Sequence, residues 1–304
     1  MVTEYFGACD ASGAEAIGGN LFVVANDEDN VLRVYPRDAG GKPVATFDLT
    51  TYLKTDPERP EADIEAATVL DGRIYWITSH GRNKEGKPRP SRRRFFATDI
   101  TPTAGGGVSF TPVGVPYTKL VDDMIAAPAL KPFGLDAAEK RAPEAKGGLN
   151  IEGLAATPDG SLLIAFRNPI PDKKALVVPL PNPAQLLTKG PAKFGAPLTL
   201  DLGKRGIRSL VYLAPQKQYL IVAGAPDDAS KFALFRWDGP GSSEVERVTG
   251  IDFEGINPEA LVTYPDMLTK VQVLSDDGGR LVGGGECKSA SPEQRRFRGV
   301  WIKV

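Results

Sequence analysis

Residues 150–168 read Asn-Ile-Glu-Gly-Leu-Ala-Ala-Thr-Pro-Asp-Gly-Ser-Leu-Leu-Ile-Ala-Phe-Arg-Asn. A glutamate opens a short apolar strand, Pro-Asp-Gly turns the chain, and a second apolar strand ends in polar residues. The same grammar starts at Glu65 (EAATVLDGRIYWITSH) and at Glu259 (EALVTYPDMLTKVQVLSDD), and in shorter form at Glu15 (EAIGGNLFVVAND). A fifth copy starts at Arg208 (RSLVYLAPQKQYLIVAGAP), with arginine in place of glutamate. Strand-rich units repeating at a period of about 50 residues predict an all-β fold, a β-propeller.

Working outward from these starts, four strands can be laid down per unit. Unit one takes the stretch after Glu15, then 21–25, 31–35 and 44–49. Unit two takes the stretch after Glu65, then 73–79, 93–100 and 108–114. Unit three follows Glu152 with 162–166, 175–180 and 196–202. Unit four follows Arg208 with 219–224, 232–238 and 244–250. Unit five has only three strands, the stretch after Glu259, 271–275 and 298–304, while residues 3–9 form a spare strand at the other end of the chain. A sheet edge is hidden when one terminus completes the last blade, so 3–9 is expected beside 298–304. This gives one propeller domain, 1–304, of five blades. A sixth blade is the alternative, and only 115–149 has room for it. That stretch lacks strand alternation and reads as a partly helical loop insertion.

Bulk properties remove many functions. The net charge is −1 and the pI about 6.0, so no global field draws nucleic acid or an anionic membrane. No apolar run approaches the ~18 residues of a membrane span. No apolar leader precedes the first strand, which leaves a cytoplasmic protein, or a secreted or periplasmic one whose leader has been removed. His80 is the single histidine, which excludes His-rich zinc sites. Nucleophile elbows, phosphate loops and dinucleotide-binding glycine motifs are also missing. A monomer is expected. Cys9 and Cys287 fall near the closing blade, as a disulfide or as two buried thiols.

In a blade, the residue that starts the inner strand and the residues that end the second strand meet on one face of the ring. Glu15, Glu65, Glu152, Arg208 and Glu259 are therefore expected at the mouth of the axis, one per blade. Around them stand Asn26 and Asp27, Ser79 and His80, Arg167 and Asn168, and Asp276. Crowded carboxylates repel unless they are protonated, paired with Arg208, or bound to a cation. A hard oxygen-ligated ion, Ca²⁺ before Mg²⁺, suits Glu15, Glu65, Glu152 and Glu259. The competing reading is a salt-bridged ring with no metal. Arg82 and Arg167, close to strand ends, are candidates to hold an anion. His80 is either a general acid or base, with Glu152, or a histidine hydrogen-bonded within a turn.

Five stretches carry a family resemblance: ANDEDNVLRVY (25–35), GRIYWITSHGRNKEGK (72–87), LNIEGLAATPDG (149–160), NPEALVTYPD (257–266) and GGGECK (283–288). Together they resemble a bacterial group of propeller proteins of unknown function, and the resemblance implies a propeller only. The chain is more loosely similar to the calcium-activated apyrases, five-bladed propellers with Ca²⁺ at the channel mouth and glutamates on their inner strands. Glu65, Glu152 and Glu259 match that pattern by blade, and Arg208 departs from it. Two functions follow as expectations. One is a divalent-cation-dependent hydrolase of a small anionic ester, phosphate or carboxylate, with Asn26, Asp27, Arg82, Arg167, Asn168, Arg208 and Asp276 lining the site. The other is a non-catalytic ligand- or protein-binding propeller.

Overall fold

The strand-forming stretches alternate or run apolar because each blade is covered on both faces by its neighbours. A computed structural model describes residues 2–103, 107–226 and 231–304. The chain opens with β1 (Val2–Phe6). Blade one is β2 (Ala11–Ala16), β3 (Leu21–Asn26), β4 (Val31–Pro36) and β5 (Ala45–Asp48). One helical turn, α1 (Thr50–Leu53), leads to blade two: β6 (Ile64–Leu70), β7 (Arg73–Thr78), β8 (Phe95–Pro102) and β9 (Val108–Tyr117). Helices α2 (Leu120–Ala126) and α3 (Leu135–Ala138) follow. Blade three is β10 (Asn150–Ala156), β11 (Leu162–Asn168), β12 (Ala175–Leu180) and, after the short α4 (Pro183–Leu186), β13 (Leu198–Leu200). Blade four is β14 (Gly206–Leu213), β15 (Gln218–Gly224), β16 (Ala233–Trp237) and β17 (Val245–Val248). Blade five has β18 (Pro258–Val262), β19 (Lys270–Ser275), a small hairpin of β20 (Leu281–Val282) and β21 (Gly285–Glu286), and β22 (Arg296–Lys303).

The protein is a five-bladed β-propeller. Each inner strand, β2, β6, β10, β14 and β18, packs against the inner strands of both neighbouring blades, which closes the ring. β1 completes blade five as its outer strand, antiparallel to β22, with Val2 opposite Val300 and Phe6 opposite Arg296. The six-blade alternative is overturned. Residues 120–138 hold helices, and Leu120, Val121 and Met124 on α2 share one buried cluster with Phe95 of blade two and Ile164 of blade three. Their spacing gives a helical apolar face, not a strand's alternation.

The core is a set of layers between blades rather than a central mass. Leu163 packs with Ile221 of blade four, while its neighbour Ile164 packs with Tyr75 of blade two. Successive side chains of a strand point to opposite faces, so a strand buried on both faces must be apolar throughout. That is why 162–166 reads Leu-Leu-Ile-Ala-Phe. At the closure, Tyr5 is fully buried against Phe22, Tyr35 and Phe297. Cys9, just past β1, is disulfide-bonded to Cys287.

Candidate functional site

Every inner strand is broken near its start by a register shift, β10 by two in succession. A bulge leaves one residue unpaired and re-aims its side chain. The bulged residues are Glu65, Glu152, Arg208 and Glu259 in blades two to five. In blade one the shift falls between Ala11 and Ala14, so Ser12 takes the equivalent place. Glu15 is a correction to the ring read from sequence. It lies three residues further along β2, toward the opposite end of the axis. The Ser12 hydroxyl instead donates across to the Ile64 carbonyl of blade two.

A second tier stands two residues before the bulges: Asp10, Asp63, Asn150 and Asn257, with Gly206 in blade four. The four polar members line the same bowl as the bulged glutamates, a cavity of about 580 Å³. Sequence reasoning missed this tier, yet its signal is visible. Asp or Asn, two residues before the bulge, occurs in four of the five blades once Ser12 is aligned with Glu65. Spacing gives the same alignment. Ser12 precedes the next strand, at Leu21, by nine residues and Glu15 precedes it by six, whereas Glu65 precedes Arg73 by eight and Glu152 precedes Leu162 by ten.

Glu65, Glu152 and Glu259 are buried and present one oxygen each within 4.8 Å of the others. At that distance and an effective dielectric of ~20, each ionised pair repels by roughly 3 kcal/mol. Two arginines answer part of this. Arg208 Nη1 donates to both oxygens of Glu259, at 3.1 and 2.9 Å, and Arg208 Nε lies 3.6 Å from Glu152 Oε2. Arg167 Nη1 donates to Glu152 Oε1 at 3.0 Å, and Asn150 Nδ2 donates to the same oxygen at 2.7 Å. Burial disfavours the Arg208 charge, but Glu259 and Glu152 outweigh it and hold the guanidinium protonated. Glu65 has no hydrogen-bond donor among the described residues. Burial first, then Asp63 and Glu152, push its pKa well above the usual carboxylate range. Burial likewise raises Glu259, against the pull of Arg208.

Among the described residues two buried oxygens in this group, Asn150 Oδ1 and Glu152 Oε2, accept no hydrogen bond, the latter with Arg208 Nε 3.6 Å away. A buried acceptor without a donor costs about 1–3 kcal/mol unless something else satisfies it. Close backbone approaches set the geometry. A Cβ at Gly206 would fall 1.8 Å from the Arg167 carbonyl, and one at Gly224 would crowd the Arg208 side chain at 3.1 Å.

The other expected residues divide. Asp27 and Asp276 line the bowl, and Asp10 joins Asp276 through a bridge between their backbones. Burial, then Asp276, raises Asp10 to about 8; burial, then Asp10, raises Asp27 well above its ordinary value. Arg92, beside them, pairs with Asp63 at 2.9 Å and Glu61 at 2.5 Å. Asn26 and Asn168 are buried braces. Asn26 Oδ1 accepts from the Asp10 amide at 3.1 Å, and Asn168 Nδ2 donates to the carbonyls of Pro143 and Ala145, each at 2.7 Å.

Arg82 and His80 are corrections as well. Arg82 donates to the Glu139 and Gly86 carbonyls, at 2.6 and 3.2 Å, and does not line the bowl. A long basic loop needs its carbonyls satisfied, and Arg82 serves that need. His80 is 2% exposed, has a positive φ of 56°, and its Nδ1 donates to the Thr78 carbonyl at 2.8 Å. Burial lowers its pKa to about 4, and it too is absent from the bowl wall. It is hydrogen-bonded within its turn and buried away from the bowl.

No protein-family model matches the chain, and no curated protein matches it in sequence. Among solved structures it is similar to an exo-β-1,3-galactanase from Clostridium thermocellum, at 11% identity and a TM-score of 0.53, over 99% of this chain and 62% of that one. It is also similar to a glutaminyl cyclase from Myxococcus xanthus, at 11% identity and a TM-score of 0.48, over 100% of this chain and 95% of the other. An aldose sugar dehydrogenase from Streptomyces coelicolor is similar at 10% identity and a TM-score of 0.45, over 99% of each chain. At such identities the likeness is one of propeller fold, and it assigns no reaction.

Proposed function

We propose that the bowl binds a divalent cation and uses it to hydrolyse a small ester. The observation that carries this is the trio of buried Glu65, Glu152 and Glu259 carboxylates, with one oxygen of each within 4.8 Å of the others, and Asn150 Oδ1 on the same wall accepting no hydrogen bond among the described residues. An all-oxygen set of carboxylates and an amide carbonyl suits Ca²⁺, then Mg²⁺. The looser similarity to calcium-activated apyrases supports an ion at this end of the axis, although Ser12 and Arg208 depart from a glutamate ring in two blades. When bound, such an ion polarises an ester carbonyl and lowers the pKa of water.

This chain's own residues supply the rest. Arg167 and Arg208 hold Glu152 and Glu259 in place. Asp10 faces the bowl, and burial and Asp276 favour its protonated form, so it is the residue placed to donate a proton to a leaving alkoxide. Among the described residues twelve acidic side chains line the bowl against six basic ones, and with Asp10, Asp27, Glu65 and Glu259 held toward the protonated form the acidic groups are still in excess, so its field disfavours an anionic occupant. A neutral carboxylic ester therefore fits better than a phosphate ester.

The test is hydrolysis of ethyl acetate and ethyl phosphate, whose leaving ethoxide needs a proton, followed as ethanol release with added Ca²⁺ or Mg²⁺. The reading expects metal-stimulated turnover of the acetate above the phosphate, falling ~10²-fold or more in Asp10→Asn. No metal-stimulated turnover of either, or an unchanged rate in Asp10→Asn, overturns it. The second reading, a non-catalytic ring, is favoured by one observation: Arg208 already grips Glu259 with a single nitrogen bonded to both oxygens.

A further inference from the structure

The opposite end of the axis carries a different chemistry. The position that Glu15 occupies on β2 is filled in the other blades by Thr68, Ala155, Val211 and Val262, none of them charged. Glu15 is thus the one carboxyl in an otherwise uncharged tier of inner-strand side chains. It opens onto a second cavity, of about 470 Å³, walled by Val69, Leu213, Met267, Leu268 and Val271. Among the described residues no other acidic residue lines that cavity, and its one basic residue, Lys270, is exposed. Between this cavity and the acidic bowl the axis narrows to a space of about 10 Å³, roughly one water, so the two ends are separate sites.

A carboxyl placed among apolar walls without a cationic partner costs stability, and the fold gains no ion pair from it. Burial raises its pKa to about 8, against one stabilising backbone hydrogen bond from Val69, and no arginine or lysine contributes. A cavity of this size, mostly apolar with a few polar groups, Glu15 its one carboxyl among the described residues, is the usual form of a small-molecule site. We propose that it is a second ligand site, independent of the bowl, which takes a small molecule with an apolar body and one protonated amine. The ammonium sits on Glu15 and the apolar body lies against Leu213, Met267 and Val271.

Calorimetric titration with hexylamine and hexan-1-ol tests this. Hexylamine stays largely protonated at pH 9, as a lysine side chain would, while Glu15 by then is ionised. The expected result is hexylamine binding at least tenfold tighter at pH 9 than at pH 6.5, and tighter than hexanol at pH 9. Glu15→Gln should remove both differences. Ala214→Trp, which fills the exposed rim, should abolish binding of both compounds. Equal binding of amine and alcohol at pH 9, no binding of either, or an amine preference that survives Glu15→Gln or Ala214→Trp would overturn the proposal. The last outcome would place the amine in the acidic bowl.

Discussion

Arg208 and Glu259 face each other across the seam between blades four and five, with Nη1 at 3.1 Å from Oε1 and 2.9 Å from Oε2. Both residues are buried, and Glu152 shares the same guanidinium. Removing one partner of such a pair leaves a buried charge without compensation. Arg208→Ala is expected to lower stability by about 3–5 kcal/mol. Urea denaturation checks this, and a midpoint equal to wild type would mean that the ring is held by something other than the arginine.

The closure of the ring predicts a second sensitive place. Tyr5 lies on β1, fully buried, its ring stacked on Phe297 and its hydroxyl accepting from Gln272 Nε2 at 2.6 Å. Tyr5→Ala should cost about 3–5 kcal/mol by analogy with other large aromatic truncations. The Cys9–Cys287 bond ties the same seam across 278 residues of chain. Its reduction should lower stability by about 2–4 kcal/mol. Thermal melts with and without reductant provide the comparison, and coincident curves would rule out a stabilising staple.

Glu15 makes stability depend on pH in a defined direction. Its folded pKa, about 8, stands above that of the unfolded chain, near the ordinary glutamate value. Between those values the folded state holds a proton that the unfolded state has lost, so stability falls as pH rises through that window. Glu15→Gln removes the dependence. The variant should match wild type near pH 4 and exceed it increasingly up to pH 8, with a constant gap above. Melting temperatures at pH 4, 6, 8 and 9 give the answer; a gap that does not grow with pH would show that Glu15 is not raised.

His80 predicts the absence of a titration. Burial holds its pKa near 4, below the unfolded value, so the folded imidazole is neutral from pH 5 to 8. Acidification from about 6.5 to 4 should therefore cost stability, because only the unfolded state takes up the proton there. Imidazole proton shifts followed by NMR should be flat between pH 5 and 8. A midpoint near 6.5 would return His80 to the list of candidate acids and bases.

The blades were legible because strand periodicity and turn residues are local. Ala175–Leu180 is an example, a strand whose bounds can be read directly from ALVVPL. The closing strand was legible too, since a missing fourth strand in blade five and a surplus one at 3–9 have a single geometric remedy. Position on the axis was harder to read. In blade one the glutamate draws the eye to Glu15, three residues past the bulge, although the spacing to the next strand and the Asp two residues earlier favour Ser12. Partners brought from distant loops were not legible at all. Arg82 was expected at the bowl because it follows a strand end, yet Glu139, 57 residues on, supplies the carbonyl that claims it. His80 was misplaced for a related reason, since the turn at positive φ sends it inward to the Thr78 carbonyl.

Calcium titration of the wild-type chain and of Glu65→Gln tests the central claim most directly. Glu65 is the carboxylate of the trio that forms no hydrogen bond or ion pair with an arginine among the described residues, so it is the one left to an ion, which would displace its proton. The account predicts one saturable Ca²⁺ site by calorimetry. It also predicts a stability gain of about 2.7 kcal/mol at a hundredfold excess over the dissociation constant, and at least tenfold weaker binding in Glu65→Gln. Absence of Ca²⁺ and Mg²⁺ binding by the wild-type protein, or binding that Glu65→Gln leaves unchanged, would contradict it and leave the ring as a salt-bridged seal.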